Sequence, residues 1–406
     1  MTKGWIVLAV LLPGAWLQAA DSDEVLAGLE AEYAGVPHWI ARLYDPPSGG
    51  FYGSLAAKEP RPDRSFAPDI QSTYFAIQIL SEAGVLETMP QGLRARMAGY
   101  FRERQDRRTG YFVDSAYPEM RDDQRTLGRA LKFSTAGLRY LGSEPLYPLP
   151  GQSKKTEGVP SGMESLPSSA SAPSGAPEHL RNVEAFRQWL DERPWADAWK
   201  ALDQVASQAD AIKLLPGRQR RALEDEAEAA MARRRDPETG FVGGGTTIVK
   251  ISGAFKITAY CRTLGREIPA ADKLKESVLR WYRSYPMVDN IFFLRNGAEL
   301  LAELKMKEGQ KFTPEEIAMV VDVSRRQLQA FRCEDGGFAS FMNRYYLNPN
   351  DMFGTCYAAE NRQGDMNGTS SARALRKALH VLAGKDLPPL PGAGRQYWAE
   401  FPQGDQ

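Results

Sequence analysis

The chain has 406 residues, and its 51 Lys plus Arg are matched by 51 Asp plus Glu. Balanced charge excludes a general binder of nucleic acid or of acidic membranes, because either needs a basic excess. An apolar fraction of 43% is enough for a sizeable core, while three Cys and three His are too few for a disulfide framework, a four-thiolate zinc site or a multi-His metal centre.

In chain order, residues 1–20 come first. Lys3, an apolar run from Trp5 to Leu17 and the small residues Ala19 and Ala20 have the grammar of a secretory signal peptide. The expected location is secreted or periplasmic. No later window approaches the roughly 18 apolar residues of a membrane span, so no stable membrane insertion is expected after cleavage.

Four segments then share one pattern: Ile40–Tyr52, Phe101–Phe112, Met231–Phe241 and Leu328–Phe338. Each has a helical end, an acidic residue, and a Gly followed at once by an aromatic, which reads as a helix stop whose aromatic drops into the core. After each stop comes a helix that starts with small residues: Ile70–Leu80, Gly128–Leu141, Ile251–Cys261 and Ser370–Leu382. These carry apolar residues at i, i+3, i+4 spacing and end at Gly84, Gly142, Gly265 and Gly384, each with a Pro soon after. Asp289–Leu304 is a fifth such helix without a preceding stop. Between the second and third units, Pro148–Pro177 is rich in Pro, Ser and Gly and is expected to lack secondary structure. After it, Val183–Leu190 and Trp195–Leu202 read as amphipathic helices broken at Pro194.

No stretch shows the alternation of a strand. Helix pairs that cannot bury their faces alone must stack on their neighbours, so the expected fold is all-α, an α/α toroid. The expected layout is a signal peptide at 1–20, a first toroid part at 21–147, a linker at 148–180, a second part at 181–395 and a tail at 396–406.

Arg104–Tyr111 resembles the Gln-to-aromatic repeat of terpenoid cyclases. Asp69–Ala76 and Asp351–Tyr357 are similar to the inner-helix starts of protein prenyltransferase β-subunits. The resemblance implies their α/α toroid over about 30–145 and 220–390. It departs at the functional motifs. The acid motif of the cyclases has its nearest counterpart in Glu119–Gln124, read as a solvated loop, and the zinc ligands of the prenyltransferases are matched only by Asp351 and Cys356 at the wrong spacing. His380 lies in an apolar helix and reads as a buried, satisfied side chain. No cofactor and no metal are therefore expected.

Site candidates follow from polar residues near the starts of the inner helices, where helix dipoles favour anions. In the third unit these are Lys250, Lys256 and Tyr260, beside the triple glycine 243–245, which reads either as a close approach to a ligand or as a loose connection. The fifth helix offers Asp289, Asn290, Arg295 and Asn296, and the first unit offers Asp69. The fourth unit is richest, with Tyr357 and Asn367 as binding candidates and Asp335, Asp365, Arg344 and Tyr345 as catalytic ones. Asn367–Thr369 reads as a helix N-cap with Thr369 or Ser370 starting the last helix. Aromatic rings, carboxylates, amides and Arg together suit a sugar subsite. Arg with Tyr would serve β-elimination of a uronate, and Asp335 with Asp365 would serve hydrolysis. The expected partner is a polysaccharide or oligosaccharide, acted on by a lyase or glycosidase. The alternatives are a non-catalytic toroid that binds a glycan or protein, and a terpenoid cyclase-like enzyme. Cys333 and Cys356 are either a disulfide or two buried thiols.

Overall fold

The computed structural model describes residues 22–59, 66–114, 116–150, 177–285, 287–342, 362–394 and 396–402. The expected signal peptide, most of the expected linker, and Arg344, Tyr345, Asp351, Cys356 and Tyr357 lie outside these residues. The described residues are all-α, with isolated antiparallel bridges and no strand among them.

The chain opens with α1 (Ser22–Ala31), α2 (Val36–Leu43) and α3 (Leu55–Lys58), then α4 (Ile70–Glu82), α5 (Gln91–Glu103) and α6 (Gln124–Tyr140). Next come α7 (Val183–Asp191), α8 (Ala198–Ala206), α9 (Ala209–Lys213) and α10 (Gly217–Ala232). The remainder is α11 (Thr247–Leu264), α12 (Ala271–Arg283), α13 (Ile291–Lys307), α14 (Pro314–Phe331) and α15 (Met366–Ala383). Within the expected linker, Glu178–Leu180 forms a 3-10 turn in which Leu180 is buried.

The glycine–aromatic segments are tight closing turns. In the first three, the amides of Asp45, Asp106 and Asp236 donate to the carbonyls of Gly50, Tyr111 and Phe241 at 2.8–2.9 Å. The amides of Gly49, Gly110 and Gly240 donate back to the Asp carbonyls, with φ near +75°, a region that favours glycine. Short bridges join Tyr44 to Phe51, Gln105 to Phe112, Arg235 to Val242 and Arg332 to Phe338. Phe51, Phe112 and Phe338 are fully buried beneath these turns, which is how the aromatic anchors each stop.

Two turns are tied directly to the next inner helix. The Phe51 amide donates to Thr73 Oγ1 at 3.0 Å, and the Phe338 amide donates to Thr369 Oγ1 at 3.0 Å. Both helices use the same local pattern, an N-cap Asp with Thr four residues on: Asp69 caps α4 and Asp365 caps α15. The last helix therefore starts at Met366, earlier than the sequence pattern indicates, and its cap is Asp365 rather than Thr369 or Ser370. Thr73→Val is expected to cost about 1–3 kcal/mol, because it leaves the Phe51 amide buried without an acceptor. Urea unfolding of the variant checks this.

Six helices pack in a definite order: α6 on α4, α4 on α15, α15 on α13, α13 on α11 and α11 on α8. Further pairs join the remaining helices, α1 and α12 on α14, α5 on α6 and α10 on α7, and one apolar cluster draws on nearly all of them. Gly84, Gly142, Gly265 and Gly384 all take φ between 64° and 70° where inner helices end, as the helix-stop reading requires. The start of α13 is held instead by a bridge between Asn290 and Phe341.

The triple glycine admits the chain itself rather than a ligand. The Gly244 amide donates to the Trp195 carbonyl at 2.7 Å, and the Ala198 amide donates to the Gly244 carbonyl at 2.9 Å. A Cβ at Gly244 or Gly253 would lie 2.9 Å from a carbonyl oxygen at the start of α8, so these glycines let α8 seat on α11. No helix of the described residues is long and apolar enough to cross a membrane.

Candidate functional site

Several of the acidic candidates have local structural partners. Asp69 accepts the Ser72 amide and hydroxyl, both at 2.7 Å, and is 1% exposed. Asp365 accepts the Gly368 amide at 2.7 Å and the Ser340 amide and hydroxyl at 2.6 and 2.7 Å. Burial nevertheless pushes its carboxyl up to about 6, against the lowering by those donors. Asp335 accepts the amides of Gly337 and Gly364 at 3.0 and 2.9 Å, which ties its turn to the approach to α15. Asp365 and Asp335 thus stand one at a helix cap and one in a turn, each with both oxygens engaged.

The remaining candidates are spread over α11 and α13. Lys250 is half-buried on the first turn of α11, and Lys256 pairs with Asp203 of α8 at 2.8 Å. Tyr260 is buried, with no partner for its hydroxyl. Asp289 is exposed and takes part through its carbonyl, while Asn290 caps α13 by accepting the Phe292 amide at 2.9 Å. His380 is buried and bonded on both ring nitrogens, to Glu30 at 2.9 Å and to the Asp386 carbonyl at 3.0 Å. Asp122 and Asp123 of the acidic run are exposed, but the run is a 3-10 turn over Pro118–Asp122 with Met120 buried, rather than a loop.

Arg295 and Asn296 do converge with other helices. Asn296 is fully buried; its Nδ2 donates to Ser252 of α11 at 3.1 Å and its Oδ1 accepts from Arg295 at 2.8 Å. Arg295 also reaches Glu299 at 3.2 Å and lies 5.7 and 5.6 Å from the rings of Phe255 and Phe292. Burial holds its guanidinium below the ordinary value; Glu299 opposes that and Arg373 adds to it.

Another convergence of polar and aromatic side chains lies on α6, α4 and α15. Arg129 Nη2 donates to Gln71 Oε1 at 3.3 Å, and Gln71 Nε2 donates to Asn367 Oδ1 at 2.6 Å. That bond fixes which end of the Asn367 amide is the donor, and its Nδ2 is buried without a hydrogen-bond partner. An unpaired buried donor costs about 1–3 kcal/mol, so a ligand oxygen is its natural complement. One turn along, Tyr74 of α4 stacks on Phe133 of α6 at 5.0 Å and 16°, with Tyr140 at 6.5 Å. Gln78 donates to the Tyr74 hydroxyl at 2.7 Å, and the Arg129 guanidinium lies 5.6 Å from the Phe133 ring. Gln71 and Tyr74 are i, i+3 neighbours and Arg129 and Phe133 are i, i+4 neighbours, so helical spacing alone puts each pair on one face.

Of this set, sequence reasoning named Asn367 but missed Gln71, Tyr74, Arg129 and Phe133. The i, i+3 and i, i+4 pairing of a polar residue with an aromatic near two inner-helix starts was the available signal. Among the described residues there is no cluster of three or more His, Cys, Asp or Glu that would hold a metal ion. Compared with known proteins, the chain matches no family model and no curated protein.

Proposed function

We propose that helices α6, α4, α15, α13, α11 and α8 close into an α/α toroid, and that the protein, exported by its N-terminal signal peptide, holds a polysaccharide or oligosaccharide in the hollow they surround. The observation that carries this reading is the pairing of a stacked Tyr74–Phe133 platform with the Arg129–Gln71–Asn367 relay that ends in an unpaired donor. Flat rings suit the apolar face of a pyranose, and an amide with a guanidinium reads its oxygens. The order of packing along these helices, each on the next, supports the ring.

Calorimetric titration with a panel of neutral and acidic oligosaccharides tests the binding. At least one is expected to bind, and Tyr74→Ala or Phe133→Ala is expected to weaken it about tenfold, the loss of roughly 1.4 kcal/mol of stacking. No binding across the panel, or binding that ignores both substitutions, overturns the reading.

A second reading is turnover of the bound glycan, in which Asp365, two residues from Asn367, would leave its bonds to Ser340 and Gly368 to act as the acid. Release of reducing ends that Asp365→Asn abolishes, with binding retained, would select the hydrolase. Formation of unsaturated uronate would select a lyase.

A further inference from the structure

We propose that the relay on α6, α4 and α15 is a carboxylate subsite, and that the saccharide it takes is an acidic one, a uronate. The inference rests on the saccharide reading above and adds the charge of the ligand. Three features of the patch point the same way.

The first is the polarity of the relay. Arg129 donates to Gln71 and Gln71 donates to Asn367, so every bond runs toward Asn367 and the chain terminates in N–H groups. Asn367 is 5% exposed and its Nδ2 has no partner. A hydroxyl would satisfy it equally well in number of bonds, but a carboxylate accepts only, and here the terminal groups only donate.

Helix polarity is the second feature. Gln71 and Asn367 are both the second residue of their helices, which begin at Ile70 and Met366. The partial positive charge of two helix starts therefore falls at this point, and that charge favours an anion. Asp69 and Asp365 cap the same starts, and their oxygens are turned to Ser72 in one case and to Gly368 and Ser340 in the other.

The third feature is the neighbouring platform. Phe133 follows Arg129 by one helical turn, and Tyr74 and the Arg129 guanidinium both lie against its ring, so cation and aromatics form one patch beside the relay. A uronate is a pyranose with its carboxylate at the ring edge. Charge-assisted hydrogen bonds of this type are about twice as strong as neutral ones, which gives the subsite its preference for the acid over its ester.

The test uses the full mature chain and two probes of one length: a galacturonate oligosaccharide and the same oligosaccharide with its carboxyls methyl-esterified. The acid is expected to bind at least about tenfold more tightly than the ester, with an affinity that falls as salt rises. Asn367→Asp keeps the oxygen that Gln71 bonds and replaces the terminal donor with a charge, so it is expected to remove the preference for the acid. Arg129→Met keeps a stem against Phe133 while removing the cation, and it is expected to lower acid affinity and leave ester affinity within about twofold, a readout independent of whether the Asn367 variant folds. Equal binding of acid and ester overturns the carboxylate subsite and leaves the saccharide reading standing. Failure of both probes and of every neutral oligosaccharide in the panel overturns the saccharide reading, and the subsite falls with it.

Discussion

Gly368→Ala is expected to destabilise the protein by about 3 kcal/mol, the upper end of what overpacking a close contact costs. Gly368 lies in the first turn of α15, where its amide donates to the capping Asp365 at 2.7 Å. A Cβ there would meet the Phe338 carbonyl oxygen and would stand 2.5 Å from the Ala339 carbonyl carbon and 2.6 Å from the Ser340 amide nitrogen. All three are backbone atoms, so no side-chain rotation relieves the clash. The surrounding bonds resist retreat as well: Ser340 donates twice to Asp365, and Phe338 donates to Thr369. Guanidinium unfolding followed by circular dichroism measures the loss. A variant within about 0.5 kcal/mol of the parent would show that α15 does not press on the turn before it in this way. The same displacement would carry Asn367 away from Gln71, so saccharide binding is expected to fall with stability.

Glu30→Gln is the second large effect, again about 3 kcal/mol, through a different cause. The Arg376 side chain is 0% exposed, and its Nε and Nη2 donate to the Glu30 carboxylate at 2.6–2.9 Å. Its Nη2 also donates to the Pro388 carbonyl, and His380 meets Glu30 from the next turn of α15. The carboxylate thus joins α1 to α15, beside an open hollow of about 370 Å³ lined in part by Leu26, Glu30, His380 and Pro388. An amide in its place leaves the guanidinium buried without a counter-charge, which costs about 3–5 kcal/mol in fully buried pairs, and the open hollow sets the expectation at the lower end. Glu30→Gln combined with Arg376→Met removes the stranded charge and is expected to recover much of the loss.

The sign of the pH dependence follows from the same contacts. Burial raises the Glu30 carboxyl, but the bonds from His380 and Arg376 outweigh it and hold the group below its ordinary 4.5. A folded-state value below the unfolded one contributes stability that is full above 4.5 and is lost as pH falls through the depressed value. The parent is therefore expected to lose stability below pH 4.5 more steeply than Glu30→Gln. Asp365 has the opposite sign. Its carboxyl is raised to about 6, so it binds a proton more tightly when folded and contributes added stability as pH falls from 7 through 6 toward 3.8. Unfolding curves at about pH 7, 5 and 3.5, which straddle the two windows, separate the two groups in the single variants.

What sequence alone determined is the local architecture. The Ile70–Leu80, Ile251–Cys261 and Ser370–Leu382 patterns lie inside α4, α11 and α15, and all four terminal glycines adopt the left-handed conformation. Side-chain period and positive φ are properties of a few consecutive residues, so they can be read without knowing what packs against them. The turns after Asp45, Asp106 and Asp236 were legible for the same reason. Of the residues in the proposed site, only Asn367 was singled out from sequence, because it lies at a helix start. Tertiary structure decided the rest: that the triple glycine seats α8, that Asp365 is first a cap, and that Gln71 meets Asn367 across 296 residues while Arg129 meets Gln71 across 58. A polar side chain on a helix face carries no mark of which distant face it will oppose. Only the packing order of α6, α4 and α15 turned three ordinary polar residues into one directed relay.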